Sequence, residues 1–224
     1  MAEAKAKPLR FFLRDVRLAF PNLASKGKFG YGCRFLLPPD HVQTLNPASR
    51  KYCEALGIKL PPDTSAKVKT VPLLEKIGLA VARKKWDAKA DAIYKALKAQ
   101  DKLFFHDGST KADLDGFEGN IFVACGSRGP VPMFDQSRND TDERVVYSGS
   151  FVVGQIDIWA QDNTEGGKRL NASVYGVQKL RDGDAFASGG PPADADDFDE
   201  IAVEDGEGGE EAGDEPSEDD DLTA

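Results

Sequence analysis

The chain has 224 residues, with 38 Asp and Glu against 29 Lys and Arg and a formal net charge of −9. That length suits one domain of roughly 150–200 residues with an appendage. No apolar run approaches the roughly 20 residues of a membrane span. Three scattered cysteines (Cys33, Cys53, Cys125) and two histidines (His41, His106), without CxxC or zinc-type spacing, point away from disulfide frameworks and metal sites.

The first residues, "MAEAKAKPLRFF", lack the apolar stretch of a signal peptide, so a reduced cytoplasmic protein is expected. "LRFFLRDVRLAF" (9–20) alternates as a strand that Pro21-Asn22 should end. In "KGKFGYGCRFLLPP", Tyr31, Cys33, Phe35 and Leu37 share one parity and Arg34 takes the other, which is strand periodicity stopped by Pro38-Pro39. Tyr31 and Phe35 therefore read as core. "NPASRKYCEALG" predicts a helix with Asn46 as N-cap, Pro47 in its first position and Gly57 at its stop. Residues 59–85 carry no clear period. "WDAKADAIYKALKAQ" then sets Trp86, Ala90, Ile93, Tyr94 and Leu97 on one stripe, an amphipathic helix with Trp86 in the core.

Short strands with turn chemistry follow: "LFFHDGSTK", "GNIFVACGS", "RVVYSGSFVVGQIDIWAQD" and "KRLNASVYGVQKL", separated by Asp107-Gly108, Gly119-Asn120 and the Asn163–Gly167 segment. Six or so short strands interrupted by helices predict a mainly β protein, a small barrel or sandwich with helical insertions. The division expected is a folded domain over 1–187 and a disordered acidic tail over 188–224, whose Gly, Asp, Glu, Ala and Pro cannot bury enough surface to order the chain.

Charge is split between these parts. From Asp184 onward there are 17 Asp and Glu and no Lys or Arg, so the other 21 acidic residues face all 29 basic ones and residues 1–183, the bulk of the body, carry about +8. An acidic run can be a solubilising extension. Tethered to a body of opposite sign, it can also compete for a cationic surface, because tethering supplies a high effective concentration.

Candidate contacts come from cations and aromatics. Arg10, Arg14 and Arg17 lie on the first strand, and Lys26 and Lys28 flank the next turn. Arg83, Lys84 and Lys85 are expected just before the second helix, at its positive end, where cations oppose the dipole and suggest phosphate contacts rather than local stability. Arg128, Arg138 and Arg144 fall in a connection rich in Pro, Gly and Asp. In "SGSFVVGQIDIWAQD", Val152, Ile156, Ile158 and Ala160 oppose Phe151, Gln155, Asp157 and Trp159. In "RLNASVYGVQKL", Leu170, Ala172 and Val174 oppose Asn171, Ser173 and Tyr175. Exposed aromatics beside cations suit base stacking; the alternative is a second layer of helices packed over that face. The carboxylates Asp107, Asp113, Asp115 and Glu118 could hold Mg²⁺ for a nuclease, but their interleaved Gly and Lys read better as a turn-rich loop. No nucleophile, zinc or P-loop motif calls for an enzyme.

The ordered series "GYGCRFLLPP", "DGSTK", "GNIFVACGSRGP", "YSGSFVVGQIDIWAQDN" and "GGKRLNASVYGVQKLRDGDAF" resembles a bacteriophage family of single-stranded-DNA-binding proteins over residues 9–187, with the acidic tail in its expected place. The resemblance implies an OB-fold, a Greek-key β-barrel that binds single strands without sequence preference. It also implies a role in phage DNA replication and recombination, with the tail contacting phage or host replication proteins. The tail ends "DDDLTA", where Leu222 is the candidate apolar anchor and Phe198 lies far upstream; charge competition needs no such anchor. On this reading Lys28, Arg83, Lys84, Lys85, Arg128 and Arg144 meet phosphates, and Phe151, Trp159 and Tyr175 stack on bases. No cofactor, metal or membrane is expected, and self-association is compatible with the reading. The competing functions are a metal-dependent nuclease and a DNA-mimicking adaptor whose body binds only protein.

Overall fold

A computed structural model describes residues 8–28 and 30–186; the acidic segment 188–224 lies outside them. The alternating run at the start forms strand β1 (Phe11–Gly27), which continues through Pro21-Asn22 rather than ending there. It does so by bulging. Asp15 and Phe20 have positive φ (56° and 47°), and the pairing register slips between Arg14 and Val16 and again between Ala19 and Asn22. Bulges bend and twist a strand. β1 thus pairs through Phe11–Arg17 with β8 (Phe151–Asn163) and through Arg17–Gly27 with β2 (Gly30–Leu37).

β2 pairs with β6 (Ile121–Ser127), and β9 (Gly167–Arg181) pairs antiparallel with β8. A short parallel contact of β6 with β9, Cys125 to Ala172 and Gly126 to Ser173, closes the ring. The barrel order β1-β2-β6-β9-β8 is that of an OB-fold, as expected. Its interior holds Phe11, Leu13, Phe35, Ile156 and Leu170, all essentially inaccessible. Phe35 crosses so close to β8 that a Cβ on Gly154 would lie 2.4 Å from its ring. Cys33 and Cys125 face each other across β2 and β6, and all three thiols are free and buried. Burial pushes the Cys53 thiol up to about 11 and holds Cys33 and Cys125 well above the ordinary range.

The helices are inserted between β2 and β6. After β3 (Val42–Thr44) comes α1 (Pro47–Ala55), capped by the Asn46 side chain, which accepts from the Ser49 N–H at 2.8 Å. The unassigned stretch 59–85 contains β4 (Lys67–Lys69), paired with β3, and α2 (Thr70–Trp86). Leu74 and Ile77 of α2 bury into the barrel's core, so its apolar face is read by the barrel and not by a local period. α3 (Ala90–Ala99) follows a short 3-10 turn. Trp86 therefore ends α2 instead of starting the next helix, and it is buried as expected. Its indole N–H donates to Asp162 Oδ2 at 2.9 Å, tying α2 to the β8–β9 turn. Hydrogen bonds from Lys168 and then Trp86 hold the Asp162 carboxyl below its ordinary range. β5 (Phe105–Asp107) flanks β6, and β7 (Met133–Phe134) runs parallel beside β9.

Candidate nucleic-acid interface

The strands β8 and β9 alternate as their sequences require. Ile156, Ile158, Leu170, Ala172 and Val174 are buried, while Trp159 and Tyr175 remain 42% and 44% exposed on the other face. Among the described residues no helix buries them. Trp159 stands opposite Asn171, and its indole N–H donates to Ser173 Oγ at 3.0 Å, which fixes the ring's tilt. Tyr175 is the extra residue of a bulge, since Ile156 pairs with Val174 and Gln155 with Gly176. Bulges re-aim side chains, and this one turns the phenol towards Arg10, whose guanidinium carbon sits 3.8 Å from the ring centroid.

Both aromatics line a groove of about 930 Å³ that crosses β2, β6, β8 and β9. Phe20 and Tyr31 line it too, with Arg34, Arg128 and Arg169 as its cations. Among the described residues these three arginines make no ion pair. Arg34 leans over Phe20, 5.5 Å from its centroid, and its buried Nε has no hydrogen-bond partner among the described residues. The acid in the groove, Asp157, is spent on Arg10 at 3.3 Å. Flat π faces and unneutralised guanidinium groups that line one groove can hold planar, negatively charged chains.

Of the residues singled out from sequence, Trp159, Tyr175 and Arg128 share this groove. Lys28 occupies the turn between β1 and β2, two residues from Gly30 on the rim. The others lie elsewhere. Arg83, Lys84 and Lys85 form the last turn of α2, not the approach to a helix, so the dipole favours them and the argument from electrostatic strain falls away. Arg83 is paired with Asp91 at 2.9 Å, and Lys84 donates to the Ala55 carbonyl at 2.7 Å, capping the end of α1. Both border a separate hollow between α1 and α2, with Leu56, Ile58 and Leu79. Lys85 is close enough to Asp162 to contribute to the lowering of that carboxyl. Arg144 is highly exposed and paired with Asp142 at 2.6 Å.

Phe151 stands at the far end of β8, eight residues or roughly 26 Å from Trp159. Its cross-strand neighbours are Arg17 and Arg181, whose guanidinium carbons lie 5.5 and 3.4 Å from its centroid. The acidic stretch 107–118 is indeed turn-rich. Asp107 accepts from the Ser109 N–H and Oγ at 2.9 and 2.8 Å, and a 3-10 turn follows. Those bonds hold its carboxyl below the ordinary range.

Sequence reasoning missed Phe20, Tyr31, Arg34 and Arg169. Two of them had a signal. Arg34 takes the parity opposite to buried Cys33 and Phe35, and Arg169 continues the exposed row Asn171, Ser173, Tyr175. Tyr31 shares the core parity yet is only partly buried, because at the start of β2 it lines the groove.

Three comparisons bear on this geometry. Residues 41–208 match a family described as Enterobacter phage Enc34, ssDNA-binding protein. Protein p50 of Acyrthosiphon pisum secondary endosymbiont phage 1 is 28% identical over 205 residues, spanning 87% of this chain and 95% of its own length. The solved single-stranded DNA-binding protein from bacteriophage Enc34 superposes with a TM-score of 0.55 at 22% identity, covering 85% of this chain and 90% of its own. Its structure in complex with ssDNA gives the same TM-score at 23% identity, over 81% of this chain and 91% of its own.

Proposed function

This chain belongs to the family of the Enterobacter phage Enc34 ssDNA-binding protein, and from that membership we propose that it binds single-stranded DNA, without catalysis, in the groove across β2, β6, β8 and β9. The observation that carries the reading is the conjunction of Trp159 and Tyr175, exposed on one face, with Arg34, Arg128 and Arg169 in the same groove. Bases stack on the aromatic faces whatever their identity, and guanidinium groups follow the phosphates. That division of labour gives binding without sequence preference. A deposit of protein along exposed strands would protect them during phage DNA replication and recombination in the cytoplasm.

Trp159 also supplies the test. The chain has two tryptophans, and Trp86 is buried, so titration with oligo-dT should quench the fluorescence of Trp159 selectively. Saturable quenching by oligo-dT, with duplex of equal length binding far more weakly, is the expected result. Equal binding of duplex would mean a generic basic surface, and cleavage of labelled oligonucleotide with Mg²⁺ would mean a nuclease.

The acidic segment 188–224 lies outside the described residues, and its role is read from charge. With a body of about +8, it competes with DNA for the cationic groove and presents acid to replication proteins. Removing residues 188–224 should tighten oligo-dT binding, most at low salt, where screening is weakest. Identical affinities at low ionic strength would reject the competition.

A further inference from the structure

A groove that accepts a polyanion should contain no carboxylate, yet Asp157 lines it, on the same face of β8 as Trp159. Its contacts explain its presence. One oxygen, Oδ2, holds Arg10 Nη1 at 3.3 Å. The other, Oδ1, accepts from the Tyr52 hydroxyl of α1 at 3.2 Å. Tyr52 is fixed in turn, since its oxygen accepts the Ile158 N–H at 3.2 Å, and burial keeps its phenol protonated far above the ordinary range. Arg10 closes the chain by lying over Tyr175 at 3.8 Å. The order is therefore α1, Asp157, Arg10, Tyr175.

Tyr175 needs such a hold. It is the unpaired residue of a bulge, 44% exposed, and among the described residues its hydroxyl makes no hydrogen bond. The guanidinium on one side limits the rotamers open to the ring. With it, one face is occupied and the ring is steadied for a base on the other, so less side-chain freedom is lost when DNA binds.

We propose that Asp157 is a positioning residue of the single-strand groove, which holds Arg10 flat against Tyr175 so that the phenol offers one fixed face to a base. This deepens the reading of the groove as a DNA interface and rests on it. It also reverses the sign that charge alone predicts. Removing an acid from a cationic groove should strengthen binding of a polyanion, most at low salt. Removing a positioning acid should weaken it at every salt.

The test is an anisotropy titration of labelled oligo-dT across a salt series, with the full chain as wild type, Asp157→Asn, Arg10→Lys, Tyr175→Ala and the Asp157→Asn/Tyr175→Ala double variant. Asp157→Asn is expected to bind about fivefold more weakly, the lower end for one stacked base, with the salt slope unchanged. Arg10→Lys keeps the charge but lacks the planar cation, and should lose a similar factor. In the Tyr175→Ala background the Asp157→Asn loss should vanish, because the acid acts only through that ring. A general disturbance of the barrel would not vanish there.

Tighter binding by Asp157→Asn, greatest at low salt, overturns the proposal, as does a loss that persists undiminished in the double variant. Should Asp157→Asn fail to fold, Arg10→Lys alone and combined with Tyr175→Ala decides by the same rule. A wild type that does not bind oligo-dT removes the interface reading itself, which separates that failure from this one.

Discussion

Truncation of Trp159 to alanine is expected to weaken oligo-dT binding by about 1–3 kcal/mol, roughly 5- to 150-fold, the range for one base lost from an aromatic platform. The indole is the largest exposed ring in the groove, and its hydrogen bond to Ser173 already sets its orientation, so little ordering is left for DNA to impose. Tyr175→Ala should fall in the same range. The two rings stand on adjacent strands of one face, and a single strand that bridges them would feel both losses. The folded barrel should barely notice either change, because neither ring enters the core. The measurement is an anisotropy titration beside a thermal melt. A Trp159→Ala protein with unaltered affinity and an unaltered melt would take the stacking platform away from β8 and β9.

A second large effect is expected from the triple replacement of Arg34, Arg128 and Arg169 by alanine. For single strands the slope of log K against log salt is about −0.7 per phosphate neutralised, so loss of three contacts should flatten it by about 2. The affinity deficit should then be on the order of a hundredfold at 50 mM salt and shrink towards 1 M. Arg83→Ala and Arg144→Ala, each removing one positive charge, serve as controls compared per charge removed. Each of those side chains already sits with a carboxylate, Asp91 or Asp142, and neither lines the groove. They should leave the slope in place. A slope that responds equally to the controls would show that net charge, and not the groove, governs binding.

Much of this was legible in the residues themselves. Alternation along 151–160 and 170–175 separates the buried Val and Ile from Trp159 and Tyr175 with no tertiary knowledge, because a strand's side chains must point to opposite faces. Asn46, Pro47 and Gly57 mark a helix by local backbone chemistry alone. The split of charge between body and tail is likewise a property of the chain. β1 runs on past Pro21 because its register slips there, beside Phe20 at positive φ, and a bulge has little local signature. That Arg83–Lys85 close a helix has no local period to announce it, because the apolar face of α2 is defined by the barrel it packs against.

Sequence by itself determined which side chains stand on the outer face of β8 and β9, since that depends only on each residue's nearest neighbours along a strand. Only the tertiary structure decided which cations stand beside them. Arg34 and Arg169 come from strands far apart in the chain and meet through barrel closure, while Arg83, Lys84 and Arg144 are carried off to other surfaces and other partners. A charge's neighbours in space are set by long-range strand pairing, and no local period records them.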